Sequence, residues 1–187
     1  MFTKRRVVVF IFLSIDGVAE EPSDWFTEDG PELFDHIAEV IATQDDVLLG
    51  HGTFDYWSGH WPTSDLEPFA PFINATRKHV AASSPLVGDW SNTVVMDAPV
   101  VDYVTALKET AGGDIGVHAS VALARSLIVA GLVDDLRLVI APVIAGSGER
   151  LFDAAHGGQQ HFELASEERT KKGTLLLHYR LDEVRHP

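Results

Sequence analysis

The chain contains no cysteine, which excludes a disulfide framework, thiolate metal sites and cysteine nucleophiles. A reducing compartment is the default for such a chain, and the cytoplasm is the expected location. Basic residues are scarce as well: 14 Lys and Arg stand against 28 Asp and Glu, for a formal net charge of −14. Duplex binding depends on Lys and Arg neutralising phosphates, so no nucleic-acid partner is expected. An anionic ligand must be held by local groups against an unfavourable long-range field. Long hydrophobic runs are also missing. The longest, Val7–Leu13, has seven residues, against roughly 20 for a bilayer-spanning helix, so no membrane partner is expected. Lys4-Arg5-Arg6 precedes that run as in a secretory signal. The run is short and β-branched, however, and Ser14-Ile15-Asp16-Gly17 follows where a cleavage site would lie, so the segment reads as a first strand.

What is present is a chain of 187 residues, 45% of them apolar, enough for one packed domain expected to run from 1 to 187. Glycines and prolines are scattered, and neither a linker nor a repeat is visible. Val7–Leu13 is apolar throughout, as suits a strand buried on both faces. Asp29-Gly30-Pro31-Glu32 opens a helix in which Leu33, Phe34, Ile37, Val40 and Ile41 recur at helical spacing. Asp46–Leu49 is a second strand ending at Gly50, and Thr53–Trp57 begins a helix. Residues 62–71 carry three prolines and read as a surface excursion with at most a short helix. Strands follow at Arg77–Ala82 and Thr93–Met96, then a helix from Val100 through Leu107. Asp114–His118 is a strand, Ser120–Ala130 a helix capped by Gly131, and Asp135–Val143 another strand. Phe162–Arg169 and Thr174–Leu181 flank Lys171-Lys172-Gly173 as a hairpin. The predicted class is α/β, a mostly parallel central sheet with helices on both faces and a C-terminal antiparallel hairpin.

In such sheets ligands bind beyond the C-terminal ends of strands. Three loops there can receive phosphates: Leu49-Gly50-His51-Gly52-Thr53, Val117-His118-Ala119-Ser120 and Ala145-Gly146-Ser147-Gly148. Glycine lets backbone approach a ligand, and a following helix offers free N–H groups and a positive dipole end.

These loops occur in order with further blocks: Ser14-Ile15-Asp16-Gly17, Lys78-His79-Val80, Gly113 through Ser120, Gly131-Leu132-Val133-Asp134-Asp135-Leu136-Arg137-Leu138, and Ala141 through Gly148-Glu149-Arg150-Leu151-Phe152. Together they resemble the dihydrofolate-reductase-like family that includes the reductase (C-terminal) domain of bacterial bifunctional riboflavin-biosynthesis deaminase-reductases. The likeness runs over nearly the whole chain, and no deaminase domain is expected. It implies a dihydrofolate-reductase-like fold and an oxidoreductase reducing a pteridine-, pyrimidine- or flavin-precursor-like heterocycle, similar to a 5-amino-6-(5-phosphoribosylamino)uracil reductase. By position, Gly50, His51, Gly52 and Thr53 would hold the phosphates of NADPH, with Ser83 or Ser84 near its adenosine ribose. Ala119, Ser120 and Gly146-Ser147-Gly148 would flank the pyrophosphate and nicotinamide. Ser14 and Asp16 would face the substrate.

Three places depart from that pattern. His51 stands where members commonly have arginine, Ala82-Ser83-Ser84 where they often have serine-arginine or serine-threonine, and Ala119 replaces a usual glycine. Neither phosphate loop carries a fixed positive charge, so NADH and other hydride carriers, including a deazaflavin, stay open beside NADPH. A non-catalytic ligand-binding protein on the same fold is the alternative from another class.

Asp16 reads either as a catalytic residue that orients or protonates the substrate, given a pKa raised by burial, or as a turn aspartate bonding its own backbone. Trp25 and Phe26 lie where an aromatic could stack on a flat substrate ring. Trp57, Trp61 and Trp90 read as core or interface residues, and His51 as a solvent-side loop residue. Arg137 and Arg150 are the candidates for clamping a substrate phosphate. No metal is expected: His-Glu-x-x-His is absent, and His156 and His161 stand five apart across a Gly-Gly turn. Gly-x-Ser-x-Gly is absent too, which argues against a hydrolase. Apolar residues of the hairpin and of Leu136–Val143 suggest a homodimer contact.

Overall fold

The computed structural model describes residues 4–152 and 159–181. Strands β1 (Val7–Leu13), β2 (Gln44–Gly50), β3 (Arg77–Ala81), β4 (Thr93–Val95), β5 (Asp114–His118), β6 (Asp135–Ile140), β7 (Phe162–Arg169) and β8 (Leu175–Leu181) form one sheet. Its order is β4-β3-β2-β5-β1-β6-β8-β7. The first six strands of that order run parallel, and β8 turns antiparallel to both β6 and β7.

The continuous apolar run of β1 follows from its place in the middle. Val7, Val9, Ile11 and Leu13 enter one core with Val104 of α4 (Val100–Lys108) and Leu123, Ala124 and Leu127 of α5 (Val121–Val129). Val8 and Phe10 enter the opposite core. There they meet Leu33, Ile37 and Val40 of α1 (Pro31–Ile41), Phe54 of α2 (His51–Ser58) and Phe69 and Ile73 of α3 (Phe69–Ala75). Successive strand side chains point to opposite faces, and helices cover both faces, so no polar position is available along β1.

Three expectations shift. The proline-rich stretch is not a surface excursion throughout, because α3 buries Phe69, Ala70 and Ile73. The sixth strand stops at Ile140, before Pro142, which has no N–H for the ladder. Ala145–Gly148 is followed by no helix among the described residues. It folds back on the turn after β1, with Ile15 N donating to Val143 O at 2.8 Å and Ala19 N to Glu149 O at 2.8 Å. No helix among the described residues is long and apolar enough to cross a membrane.

Candidate active site

The parallel neighbours β1, β5 and β2 end on the same edge of the sheet, and a cleft of about 770 Å³ opens there. Its floor is the N-termini of two helices. Gly50, extended at φ −73° and ψ 157°, caps α2, and Ser120 caps α5; neither helix has a side-chain cap. The Ser120 hydroxyl instead accepts the N–H of Gly50 at 3.0 Å, tying the two loops together. Uncapped first-turn N–H groups and the positive ends of two helix dipoles therefore face one space. A Cβ built on Gly52 would meet nothing within 4 Å, so backbone there is open to a ligand.

Gly50, His51, Gly52, Thr53, Ala119 and Ser120 all line this cleft. Ala119 does so with φ +54°, the left-handed region that an alanine adopts only at a cost. His51 is the first residue of α2, not a loop residue. It lies 3.3 Å from the Asp55 carboxylate and 3.4 Å from the Ser84 hydroxyl, which places Ser84 at the rim. Ser83 is exposed and outside the lining, as are Gly146, Ser147 and Gly148.

The first-strand motif has a different role from the one expected. Ser14 is buried; its hydroxyl donates to Asp16 Oδ1 at 2.7 Å and accepts from Val18 N at 2.9 Å. The Asp16 carboxylate also receives the N–H groups of Ala145 and Gly146, each at 3.0 Å, and Arg150 approaches to 3.5 Å. The Ser14 hydroxyl first, and then the two N–H groups, bring its pKa down to about 2. Asp16 is thus held ionised as a clamp between the β1 turn and residues 145–150, which corrects its reading as a proton donor with a raised pKa. Neither Ser14 nor Asp16 lines the cleft.

Trp25 and Phe26, both half-buried, are not among the lining residues either. The Trp25 indole N–H donates to Glu20 O at 3.0 Å, and Phe26 packs edge-to-face on Phe12 at 4.8 Å. Phe12 is the ring that reaches the cleft. Trp57 and Trp61, expected in the core or at an interface, pack against the core from its margin and also line the cleft, at 5.6 Å from each other and with Trp61 4.9 Å from Phe69. Trp90 is buried, its N–H donating to Asn74 at 2.8 Å. Arg137 pairs with Glu39 and Arg150 with the Asp16 turn, so neither phosphate candidate reaches the cleft. Among the described residues, no group of three or more His, Asp or Glu could hold a metal ion; His156 lies outside them.

His118, at the end of β5, also lines the cleft. Its Nε2 sits 2.7 Å from Gln44 Oε1, while Gln44 Nε2 donates to Val40 O at 2.9 Å. The Val40 carbonyl orients the amide, so Oε1 faces the ring and Nε2 must carry the proton. Burial pushes the imidazole pKa down to about 3, so the ring is neutral and Nδ1 is a bare acceptor. Gly116 makes this possible: a Cβ there would overlap Gln44 Oε1 and lie 2.6 Å from His118 Nε2. The spacing Gly116-x-His118, on one face of a strand, was the signal in the sequence. Nothing local marked Gln44 as its partner.

The model of the family described as RibD C-terminal domain matches residues 5–176. The chain is 26% identical over 156 residues to a Bacillus subtilis protein named "Uncharacterized protein YyaP", covering 80% of this chain and 81% of that one. A putative riboflavin biosynthesis protein from Shewanella superposes with a TM-score of 0.72 at 15% identity, over 95% of this chain and 99% of the other. A deaminase/5-amino-6-(5-phosphoribosylamino)uracil reductase from Thermotoga maritima superposes with a TM-score of 0.68 at 17% identity, over 96% of this chain and 57% of that longer one. At such identities the solved structures share the fold, which is dihydrofolate-reductase-like.

Proposed function

The chain belongs to the family of RibD C-terminal domains, and from that premise we propose that it is an oxidoreductase reducing a pteridine-, pyrimidine- or flavin-precursor-like heterocycle. The observation that carries this reading is the pair of uncapped helix N-termini facing one cleft, joined by the Gly50 to Ser120 hydrogen bond. That floor suits the pyrophosphate of a dinucleotide. Gly50, His51, Gly52, Thr53, Ala119 and Ser120 would hold it, and Ser84 and Asp55, which stand beside His51, would lie toward the adenosine end. When bound, a reduced nicotinamide supplies hydride, and the chain's work is to place substrate and cofactor together and keep water out.

Lys78 cannot serve a 2′-phosphate. It is fully buried and donates to the carbonyls of Ile73 at 2.8 Å and Thr76 at 2.7 Å. No lysine or arginine among the described residues lines the cleft, so NADPH and NADH should bind within about threefold of each other. Titration with each, read as energy transfer from the cleft tryptophans Trp57 and Trp61 to the dihydronicotinamide, tests both points. Saturable binding of either supports a reductase, and binding of neither removes nicotinamide chemistry. A strong preference for NADPH would overturn the reading of the rim.

We further propose a homodimer formed through the C-terminal hairpin. Strand β7 is an edge strand, exposed along almost its whole length, and Leu164 and Leu175 are 48% and 40% exposed. A monomer in sedimentation equilibrium would remove this proposal.

A further inference from the structure

Three buried polar atoms of cleft-lining residues have no hydrogen-bond partner among the described residues; Nε2 of His51 lies 3.3 Å from the Asp55 carboxylate, which leaves Nδ1 of His118 and Nε1 of Trp61 with no polar group facing them. One is an acceptor, because the Gln44 contact takes the only ring proton of His118. The other is an indole N–H, which can only donate. Both rings stand against Phe69, whose centroid is 5.3 Å from that of His118 and 4.9 Å from that of Trp61. Buried polar groups are almost always paired, and leaving one unpaired is costly. An unpaired acceptor and an unpaired donor, on rings that share Phe69 as a neighbour, therefore describe a ligand by its complement.

The charge around them is equally selective. The described lining includes Glu20, Glu21 and Glu149 but no lysine or arginine. Arg125 is turned to Glu149 at 3.1 Å and to the Leu151 carbonyl at 3.0 Å, and Arg137 to Glu39 at 3.2 Å. His51 faces Asp55 and Ser84, and His60 stacks edge-on against Trp61 at 4.9 Å. A phosphate ester carried by the substrate would meet carboxylates with no fixed cation to hold it.

The geometry points to a substrate that is an uncharged planar cyclic amide without a phosphate: its ring N–H donates to His118 Nδ1 and its carbonyl accepts from Trp61 Nε1. This rests on reading the cleft as a reductase's substrate site and narrows that reading. The phosphoribosyl substrate named for the Thermotoga relative would be a poor ligand here.

Riboflavin, riboflavin 5′-phosphate and 3-methylriboflavin form a matched test, because they differ only in the phosphate and in the amide N–H. Flavin fluorescence anisotropy on the full chain should give saturable riboflavin binding, with the phosphate and the methylated compound each about tenfold weaker. In His118→Phe, riboflavin and 3-methylriboflavin should bind alike. Three results overturn the inference: no saturable riboflavin binding, equal or tighter binding of the phosphate, or no effect of methylation on the wild type. The three compounds test the wild-type chain directly, so a variant that fails to fold leaves the conclusion standing or falling on them. The dinucleotide titration on the same preparation is independent. Dinucleotide binding without riboflavin binding defeats this inference alone, and riboflavin binding without dinucleotide binding removes nicotinamide as the hydride source.

Discussion

Gly50 N–H donates to Ser120 Oγ across 3.0 Å, joining two loops seventy residues apart in the chain. Ser120 is buried and caps α5 with its hydroxyl unbonded to its own helix. Its hydroxyl is therefore a brace between two dipole ends. Ser120→Ala should leave the Gly50 N–H unpaired at a cost of about 1 kcal/mol in the urea midpoint. If the brace also holds the floor in its binding shape, dinucleotide affinity falls by about fivefold. Unchanged affinity and stability together would show that the hydroxyl braces nothing.

Ala119 pays for its left-handed backbone, φ +54°. Glycine relieves roughly 1–2 kcal/mol of steric cost and adds back part of it as unfolded-chain entropy. Ala119→Gly should then stabilise the fold by about 0.5 kcal/mol, measured by urea unfolding. It also removes a methyl group from the cleft surface, so dinucleotide binding should tighten or stay level. A destabilised variant would contradict the strain.

The Asp16 carboxyl is held at about 2 in the folded chain, below its ordinary 3.8, chiefly by the Ser14 hydroxyl. Between those values the folded chain binds fewer protons than the unfolded one. Its stabilisation is therefore complete above about pH 4 and lost as pH falls toward 2. The deficit of Asp16→Asn in urea midpoint should be constant at neutral pH and close through that window. A deficit unchanged at the acid end would place the clamp's strength elsewhere.

Lys78 has the same sign of pH dependence in an alkaline window, with burial as the cause. Burial lowers its ammonium from 10.5 to about 8, although it caps the last carbonyls of α3 and lies 4.5 Å over the Trp90 ring. From pH 8 to 10.5 the unfolded chain holds the proton that the folded chain has released, so the Lys78 contribution to stability rises with pH. The midpoint difference between wild type and Lys78→Met should shift in favour of wild type across that window. A flat difference would mean that the ammonium keeps its proton inside.

Particular residues show how much of this was legible. β1 matches its predicted limits because a strand buried on both faces has no competing pattern. The helix after Gly50 begins at His51, two residues earlier than expected, because extended Gly50 serves as its cap. α3 was obscured by three prolines around it, and its buried Phe69 and Ile73 were seen only as composition. The loops that line the cleft were found, since glycine at strand ends is a local signal. Asp16 was misjudged because its partners, Ala145 and Gly146, are 129 and 130 residues away.

The sequence by itself determined the fold class, the parallel sheet with its terminal hairpin and two of the three glycine- or serine-bearing loops expected at the strand ends, the two that line the cleft. These depend on periodicity and on backbone freedom, which are properties of short segments. Only the tertiary structure decided which aromatic rings line the cleft, that Asp16 is a clamp, and that His118 presents a bare nitrogen. Each of those depends on a partner brought from far along the chain, and a side chain's proton and exposure are set by the partner it meets.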